Sequence, residues 1–473
     1  MKVIEFQPKG GTIDDMIDTL KRRATTAPDV DKYTKELDPA GHLINDRVYR
    51  KDKVVKGSDG KERTEQVARI AISLQKEIVK KSVAFLFGNS PKIIGNAQTD
   101  EEKKVLIAID KIMADNKAYS LNRKVARSVF SYQEAAEYWF PIAMDKEFTN
   151  YGYSTKIKIK HMIFSPERGD KLYPVFDATG DLVAFSREYE QVSGSEKIYY
   201  FETYTSEEKT IYWKGTGNGA PSNWELKDTK QFAIKKMPIV YAYKPAVEWE
   251  DVQTIIERLE KLLSNFADTN DYHASPKIFV KGKLIGFSQK GEAGAILEGD
   301  ANTEVKYLSW QHAPESVKLE IETLLGLIYD MTNTPRISFE NMKGMGAISG
   351  VALKLLFMDA HLKVKDHEEV FGEYLQRRLN VIKEYIAAAV PELREAASSL
   401  DVYAEILPYV MGDQQSELEL IMSANGGKPV ISQKTAVELA GLVDDSEKEW
   451  QAIQEEAKAE RQSTNDLFNP AFQ

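Results

Sequence analysis

Apolar residues spaced three and four positions apart predict two long helices in the middle of the chain. One covers 248–272, and the other runs from Pro314 to about 332. Their apolar positions are Val252, Ile255, Ile256, Leu259, Leu262, Leu263, Phe266, Leu319, Leu324, Leu325, Ile328 and Met331. At about 1.5 Å per residue the first helix is a rod on the order of 35 Å long. The strand-like segments KIFVKGKLI and EVKYLSW lie between the rods. The pattern therefore predicts a helical hairpin with a small module at its tip.

The stretch before the first rod divides into a helical and a strand-like part. Helical spacing predicts helices from Thr64 to Gly88, over 100–116 and from Leu121 to Tyr132. Residues 1–60 are polar and predict a weakly structured arm.

From about Glu134 to Lys244 the apolar period changes to two, which predicts strands. Twelve of the 22 tyrosines lie between Tyr132 and Tyr243, and tyrosine favours strands. Stacking of these rings on nucleic-acid bases is an alternative, but basic residues do not alternate with the rings. Ordinary sheet packing is therefore the favoured interpretation.

A glycine-spaced loop follows the second rod. Pro335 ends that rod, because proline lacks an N–H and disfavours the α conformation of the residue before it. Gly344, Gly346 and Gly350 then punctuate a segment with few bulky side chains. A very long helix is predicted from Gly350 to about Val390. Beyond Pro391 the pattern predicts short acidic helices, the last reaching about Gln462, and a disordered tail.

Composition limits the possible functions. The 473 residues include no cysteine, which excludes disulfides and thiolate metal sites. The sequence contains neither an apolar run long enough for a membrane span nor an apolar N-terminal signal segment. We therefore expect a soluble protein made in the cytoplasm. The net charge is −10, and the 16 acidic and 6 basic residues from Pro391 to Gln473 account for all of it. The rest of the chain is neutral overall, so the charge does not indicate a broad basic face for nucleic acid. Any contact with DNA would have to be local or made through loops.

Catalytic motifs are missing. The stretch from Gly344 to Gly350 reads G-x-G-x-x-x-G and follows a helix, whereas a dinucleotide site needs G-x-G-x-x-G after a strand. His361 and His367 are six positions apart, so they point to different faces of a helix and do not form a metal pair. We therefore expect neither an enzyme nor a cofactor nor a bound metal.

Four stretches of sequence resemble the portal proteins of tailed double-stranded-DNA bacteriophages, in the siphophage-type branch. They are RIAISLQKEIVKKSVAFLFGNSPKI, MPIVYAYKP, TPRISFENMKGMGAISGVALK and PVISQKTAVELAGLVDDSEKEWQAIQEE. The second is similar to the entry to the family's stem, the third to its tunnel loop and the fourth to its C-terminal ending. The order of these stretches is more specific than any one of them. One departure is the stretch from Glu248 to Asp251, which lacks the glycine-rich lead-in often seen there.

The resemblance implies an α+β portal fold with a wing, a two-helix stem, a small α/β clip, a long tunnel helix and a helical crown. The implied segments are an N-terminal arm (1–63), the wing (64–247), stem helix 1 (248–272), the clip (273–314), stem helix 2 (315–334), the tunnel loop (335–349), the long helix (350–390), the crown (391–462) and a disordered tail (463–473).

The resemblance also implies partners and roles. The chain would form a ring, of 12 subunits in the typical case, at one vertex of the virion capsid. The large terminase would package double-stranded DNA through this ring, and a head–tail connector would attach to it before DNA ejection. Major capsid and scaffolding proteins would surround it, and no membrane would be involved. In the tunnel loop, the residues expected to face DNA are Glu340, Asn341, Lys343 and Met345.

Other loop residues have structural roles in this interpretation. Gly344, Gly346 and Gly350 would act as hinges, and Pro335 and Arg336 would form the loop base. Two alternatives stay open from sequence alone. One is a metal-dependent phosphoryl- or nucleotidyl-transfer enzyme, and the other is a non-viral scaffold or adaptor protein.

Overall fold

Helices and antiparallel sheets occupy separate stretches of the chain in the computed structural model. The structure describes residues 2–22, 25–56, 60–216, 219–273, 277–281, 284–286, 298–299, 304–308, 313–336, 355, 357–409, 414–426, 429–443 and 446–468. They form two compact units. The first comprises Met1–Arg336 and Asp359–Tyr409, and the second comprises Ile337–Met358 and Val410–Gln473.

The described helices are α1 (Ile13–Leu20), α2 (Val30–Leu37), α3 (Leu74–Phe87), α4 (Asp100–Asp115), α5 (Ala118–Tyr132), α6 (Gln253–His273), α7 (Ala313–Met331), α8 (Met358–Ala389), α9 (Arg394–Ser399), α10 (Gln414–Asn425), α11 (Gln433–Ala440) and α12 (Ser446–Phe468). The described strands are β1 (Lys53–Lys56), β2 (Glu62–Glu65), β3 (Lys92–Gly95), β4 (Glu134–Phe148), β5 (Thr155–Phe164), β6 (Lys171–Phe176), β7 (Leu182–Ser193), β8 (Glu196–Tyr204), β9 (Glu208–Gly215), β10 (Glu225–Gln231), β11 (Ile239–Tyr243), β12 (Lys277–Lys281), β13 (Leu284–Gly286), β14 (Glu298–Gly299), β15 (Glu304–Leu308) and β16 (Val402–Glu405). This content confirms the predicted α+β class.

Two antiparallel sheets form the β-rich part of the first unit. One has the order β10-β9-β8-β7-β6 and the other β11-β4-β5. Apolar side chains from both sheets share one core, and its buried members are Ala136, Phe164, Leu172, Phe185, Tyr204, Ile239 and Tyr241. Tyr204 and Tyr241 are therefore packing residues, which agrees with the favoured interpretation of the tyrosine enrichment.

The N-terminal segment is more ordered than its polar composition predicted. Helix α1 buries Met16, Ile17 and Leu20 against the five-stranded sheet, where they meet Phe201 and Trp224. The spacing of these three residues already forms a short apolar stripe. The expectation of a weakly structured arm was therefore wrong for this helix, because its few apolar residues all lie on one face.

The predicted helix start at Thr64 was also wrong. Helix α3 begins at Leu74, and the residues before it run extended along α6. The N–H groups of Ala68, Ile70 and Ile72 each donate to a side chain of α6. The acceptors are spaced four residues apart on that helix, and they are Asp268, Ser264 and Glu260. Because alternate N–H groups point to the same side, the chain here is extended. Its apolar residues nevertheless have the three- and four-residue spacing that is typical of a helix.

The two rods form a helix pair, as the sequence predicted. Arg258 on α6 donates from Nε to Glu320 on α7 over 3.0 Å. Between the rods, β12 pairs with β15 in the antiparallel sense, from Lys277 opposite Leu308 to Lys281 opposite Glu304.

The long helix α8 is fastened to β4 by a fully buried ion pair. Arg378 donates from Nη2 and Nε to the two carboxylate oxygens of Glu137, over 2.6 and 3.0 Å. Trp139 and Tyr374 also donate to this carboxylate, and Arg378 donates to Asn122 over 2.5 Å. Every polar group of the pair is thus satisfied, which a buried charge requires.

Helix α8 as described begins at Met358, later than the predicted start at Gly350, and Phe357 lies in a turn. Residues 350–354 and 356 lie outside the described residues.

The C-terminal region is shared between the two units. β16 returns to the first unit and pairs with β3, from Val402 opposite Gly95 to Glu405 opposite Lys92. The last helix, α12, reaches Phe468, so residues 463–468 of the predicted disordered tail are helical.

Candidate functional site

Helix α7 ends in a left-handed turn at the start of the predicted tunnel loop. Asn333 has φ of +48° and donates its N–H to the carbonyl of Asp330 over 3.1 Å. Thr334 donates its N–H to the carbonyl of Tyr329 over 2.9 Å. These two bonds form a Schellman motif, which satisfies carbonyls that a helix end leaves free. Pro335 follows directly, so the predicted end of the rod is confirmed.

Two lysines from other helices hold this helix end. Lys363 of α8 donates to the carbonyl of Thr332 over 2.8 Å, and Lys81 of α3 donates to the carbonyl of Pro335 over 2.8 Å. Cations are favoured at helix C-termini, where the carbonyl dipoles accumulate negative charge. The start of the loop is therefore fixed by direct bonds to two helices.

Two cations lie close to the ring of Tyr329. The Nζ atom of Lys81 is 5.1 Å from its centroid, and the guanidinium of Arg336 is 5.3 Å from it. Such cation–π contacts contribute about 0.5–1 kcal/mol at exposed sites. Arg336 thus lies against the end of α7, which is compatible with its predicted role at the loop base.

A buried carboxylate, that of Glu248, joins three elements beside this helix end. Its Oε2 atom lies 2.6 Å from Nζ of Lys363 and accepts a hydrogen bond from Ser82 of α3 over 2.9 Å. Lys244 contacts Oε1, and Nε2 of His367 lies 3.5 Å from the same atom. We call these five residues the loop-base cluster.

Electrostatics in the loop-base cluster follow from burial and pairing. Burial alone would raise the pKa of Glu248, but His367, Lys363 and Lys244 hold it well below its usual range. Burial lowers the pKa of Lys363 and of His367, and Glu248 opposes both shifts. At 3.5 Å, Nε2 of His367 is beyond good hydrogen-bonding geometry and has no other partner among the described residues. A cavity of about 330 Å³ adjoins it.

The loop-base cluster connects separate elements of the fold. Its carboxylate ties α3 and α8 to the segment before α6, and Lys363 also bonds to the end of α7. Within the described ranges, no group of three or more histidine and acidic residues is placed to hold a metal ion. In the same part of the chain, none of the helices has the length and apolar content that a membrane crossing needs.

The predicted DNA-facing and hinge residues all lie outside the described residues. They are Glu340, Asn341, Lys343, Met345, Gly344, Gly346 and Gly350. Only Pro335 and Arg336 of the predicted set are described. The structure adds Glu248, Lys363 and Ser82, which sequence reasoning missed because their partners are more than 100 residues away in the chain.

Comparison with protein families assigns the chain. The family model described as "Phage portal protein, SPP1 Gp6-like" matches residues 32–463. The chain belongs to this portal family. The family is structural and non-enzymatic, so the alternative of a phosphoryl-transfer enzyme is set aside. No curated protein matches the chain.

Solved structures with some similarity come from gene transfer agent particles. The neck of a native particle, computed with C12 symmetry, matches with 11% identity and a TM-score of 0.40, over 92% of this chain and 99% of that one. A chain in the virion of a native particle matches with 9% identity and a TM-score of 0.41, over 89% and 96%. The neck of an empty particle, computed with C6 symmetry, matches with 11% identity and a TM-score of 0.40, over 92% and 100%. At these scores the similarity carries no conclusion about symmetry or partners.

Proposed function

We propose that this portal-family chain assembles into a closed ring at one vertex of a phage-like capsid, and that double-stranded DNA passes through it during packaging and ejection. The proposal rests on family membership and on one observation about α7. Ile328 of the predicted apolar stripe is buried, but Leu319 and Met331 of the stripe are 66% and 53% exposed, and Leu327 beside it is 44% exposed.

Exposed apolar residues are ordinary when they are scattered, but these three lie on one side of a single helix. On α8, Leu362 is also more than half exposed. Exposed apolar surface of this kind commonly marks a protein–protein interface. A neighbouring copy in a ring would cover it, because a heterologous interface closes by rotation.

The other parts of the chain receive roles by the same proposal. The module over 273–314 would be the clip, which meets the large terminase during packaging and the head–tail connector afterwards. Residues 391–462 would form the crown inside the capsid, and major capsid and scaffolding proteins would surround the wing. The predicted tunnel loop would line the channel, with Asn341 and Lys343 nearest to DNA.

Weak DNA contact suits this role, since each phosphate contact adds salt-dependent affinity that opposes sliding. Deleting 343–346 from the loop tests its part: we expect DNA packaging to fall, and wild-type packaging would contradict a role for the loop.

Electron microscopy and native mass measurement of the purified full chain test the ring. We expect closed rings with an axial channel, and a monomer at high protein concentration would overturn the proposal. The double variant Leu319→Glu, Leu327→Glu should shift the population toward monomers without changing how the monomer melts. Val192→Glu is the matched control, because Val192 is 59% exposed on β7 and lies outside the stem.

A further inference from the structure

Strands β1 and β2 form a hairpin without a sheet to support it. In the described part of the chain they pair only with each other, from Lys53 opposite Glu65 to Lys56 opposite Glu62. All eight strand residues are exposed. A single two-stranded hairpin is marginally stable in water unless another surface covers one of its faces.

Both faces of the hairpin carry exposed apolar surface. Val54 is 63% exposed and Val55 is 40% exposed. Because successive strand residues point to opposite faces, one valine lies on each face. A surface that covers either face would bury a valine that is now in water.

The base of the hairpin is fixed to the first stem helix. Arg50 donates to Asn265 over 2.8 Å and to Asp268 over 2.7 Å, both on α6. Arg69 donates to Asp52 and to the carbonyl of Arg50, over 2.8 and 2.7 Å. Arg50 thus ties the hairpin to the stem by charge-assisted hydrogen bonds, and Arg69 joins the two sides of the hairpin base to each other.

We propose that this hairpin docks on the first turns of α7 of a neighbouring copy, an inference that rests on the proposed ring. A heterologous ring contact needs two different surfaces on one chain. The hairpin supplies one of them, and the exposed face around Leu319 supplies the other. A second copy of this chain is therefore the partner.

Position along the stem supports this partner. Arg258 meets Glu320 across the antiparallel helix pair, so Ala313 at the start of α7 lies level with the middle of α6, near Asn265, where Arg50 anchors the hairpin. Rotation about an axis along the stem keeps every residue at its own height. The hairpin of one copy would therefore reach the next copy near Glu315 and Leu319.

Charge supports the same pairing. The first strand begins and ends with lysine. Lys53 and Lys56 have side chains 60% and 75% exposed, and each has a distant carboxylate partner within the chain, Asp268 at 3.8 Å and Glu62 at 3.7 Å. The early part of α7 presents Glu315 and Glu322 to solvent. Complementary charges of this kind favour the correct encounter between copies more than they add to affinity.

The absence of cysteine in all 473 residues makes a direct cross-linking test possible. The variant Val54→Cys, Leu319→Cys carries only the two introduced thiols, and a short bismaleimide would join them. We expect a ladder of covalent oligomers on a denaturing gel. Val192→Cys, Leu319→Cys is the matched control with similar exposure, and it should give no ladder.

A second variant keeps the test independent of thiol geometry. Val54→Asp, Val55→Asp should weaken assembly at least tenfold and leave the melting of the monomer unchanged, because both side chains are exposed in one copy. The hairpin contact would be overturned if rings form but show no covalent ladder and the Asp variant assembles like the wild type. A cross-linked product within a single chain would overturn it too. Both outcomes leave the proposed ring intact. Absence of rings from the wild-type chain would overturn the proposed function, and the hairpin contact with it.

Discussion

Single residues with buried charges connect distant parts of this chain. Glu137 and Arg378 are 241 positions apart, and Glu248 and Lys363 are 115 apart. Sequence patterns report spacing along one helix or strand, so they cannot show pairs of this kind. A buried ion pair adds little compared with a well-packed apolar pair, but removing one partner leaves the other charge buried and uncompensated.

The pair of neighbouring arginines on α8 tests this asymmetry. Arg378→Met should lower the free energy of unfolding by about 3–5 kcal/mol, because the Glu137 carboxylate loses its bidentate partner inside the protein. Arg377→Met is the control, since Arg377 lies partly exposed and pairs with Glu373 one turn away. Its effect should stay within about 0.5 kcal/mol. Denaturant unfolding measures both, and equal losses would contradict the prediction.

The buried pair of His42 with Glu260 predicts a dependence of stability on pH. Nδ1 of His42 lies 2.6 Å from Glu260, and both side chains are buried. Burial opposes the charge on His42, but the Glu260 carboxylate outweighs it, so the pKa of His42 is raised. A raised pKa stabilises the folded state below the unfolded value of about 6.5, and this contribution is lost as pH rises through the folded value.

Unfolding of the wild type and of His42→Gln at several pH values measures this contribution. The stability advantage of the wild type should be larger at pH 5.5 than at pH 9. His367→Gln provides the opposite sign, because burial lowers the pKa of His367, so the wild-type histidine costs stability as pH falls. The same trend for both variants would refute the assignment.

At the scale of elements, the sequence predicted best where one helix face or one strand face meets a single core. The stripe on α6 and the helix end before Pro335 needed only local spacing and local backbone chemistry. The extended stretch before Leu74 could not be predicted from local spacing, because its N–H groups bond to α6, about 200 residues later. The loop-base cluster was missed for the same reason, since it joins α3, α8 and the segment between β11 and α6.

Substitution of two glycines separates two effects, the room available for a Cβ atom and the backbone conformation that a residue must adopt. Gly372 lies within α8, and a Cβ atom there would meet nothing within 4 Å. Gly372→Ala should therefore raise the free energy of unfolding by about 1 kcal/mol, through the better helix propensity of alanine. Gly169→Ala also meets no neighbour, but φ of +82° requires the left-handed region, so we expect a loss of about 1–2 kcal/mol. A loss of stability at Gly372 would indicate that an unseen surface packs against this face.

At the scale of the whole molecule, charge separates the end of the chain from the rest. All of the net charge of −10 belongs to the stretch from Pro391 to Gln473.

The order of rods, β module, glycine loop and long helix led from sequence to the portal family, although no single motif was specific. Subunit contacts and the course of the loop do not follow from the periodicity of one chain, because their partners in the proposed function would be other copies or DNA.

In the proposed ring, the acidic C-terminal helices that would form the crown should keep DNA from adhering. Glu455 and Glu456 of α12 are exposed, so Glu455→Lys, Glu456→Lys changes the charge of the crown without disturbing a buried contact. We expect higher affinity of the assembled ring for double-stranded DNA, with a steeper fall as salt rises, since each new phosphate contact adds about 0.9 to the slope of log affinity against log salt.

The control variant Glu196→Lys, Glu225→Lys makes the same change of net charge at exposed positions of the five-stranded sheet. Fluorescence anisotropy across a salt series compares the two variants. If both raise affinity equally, net charge alone explains the effect; a larger rise from the α12 variant indicates that the crown is the surface that DNA meets.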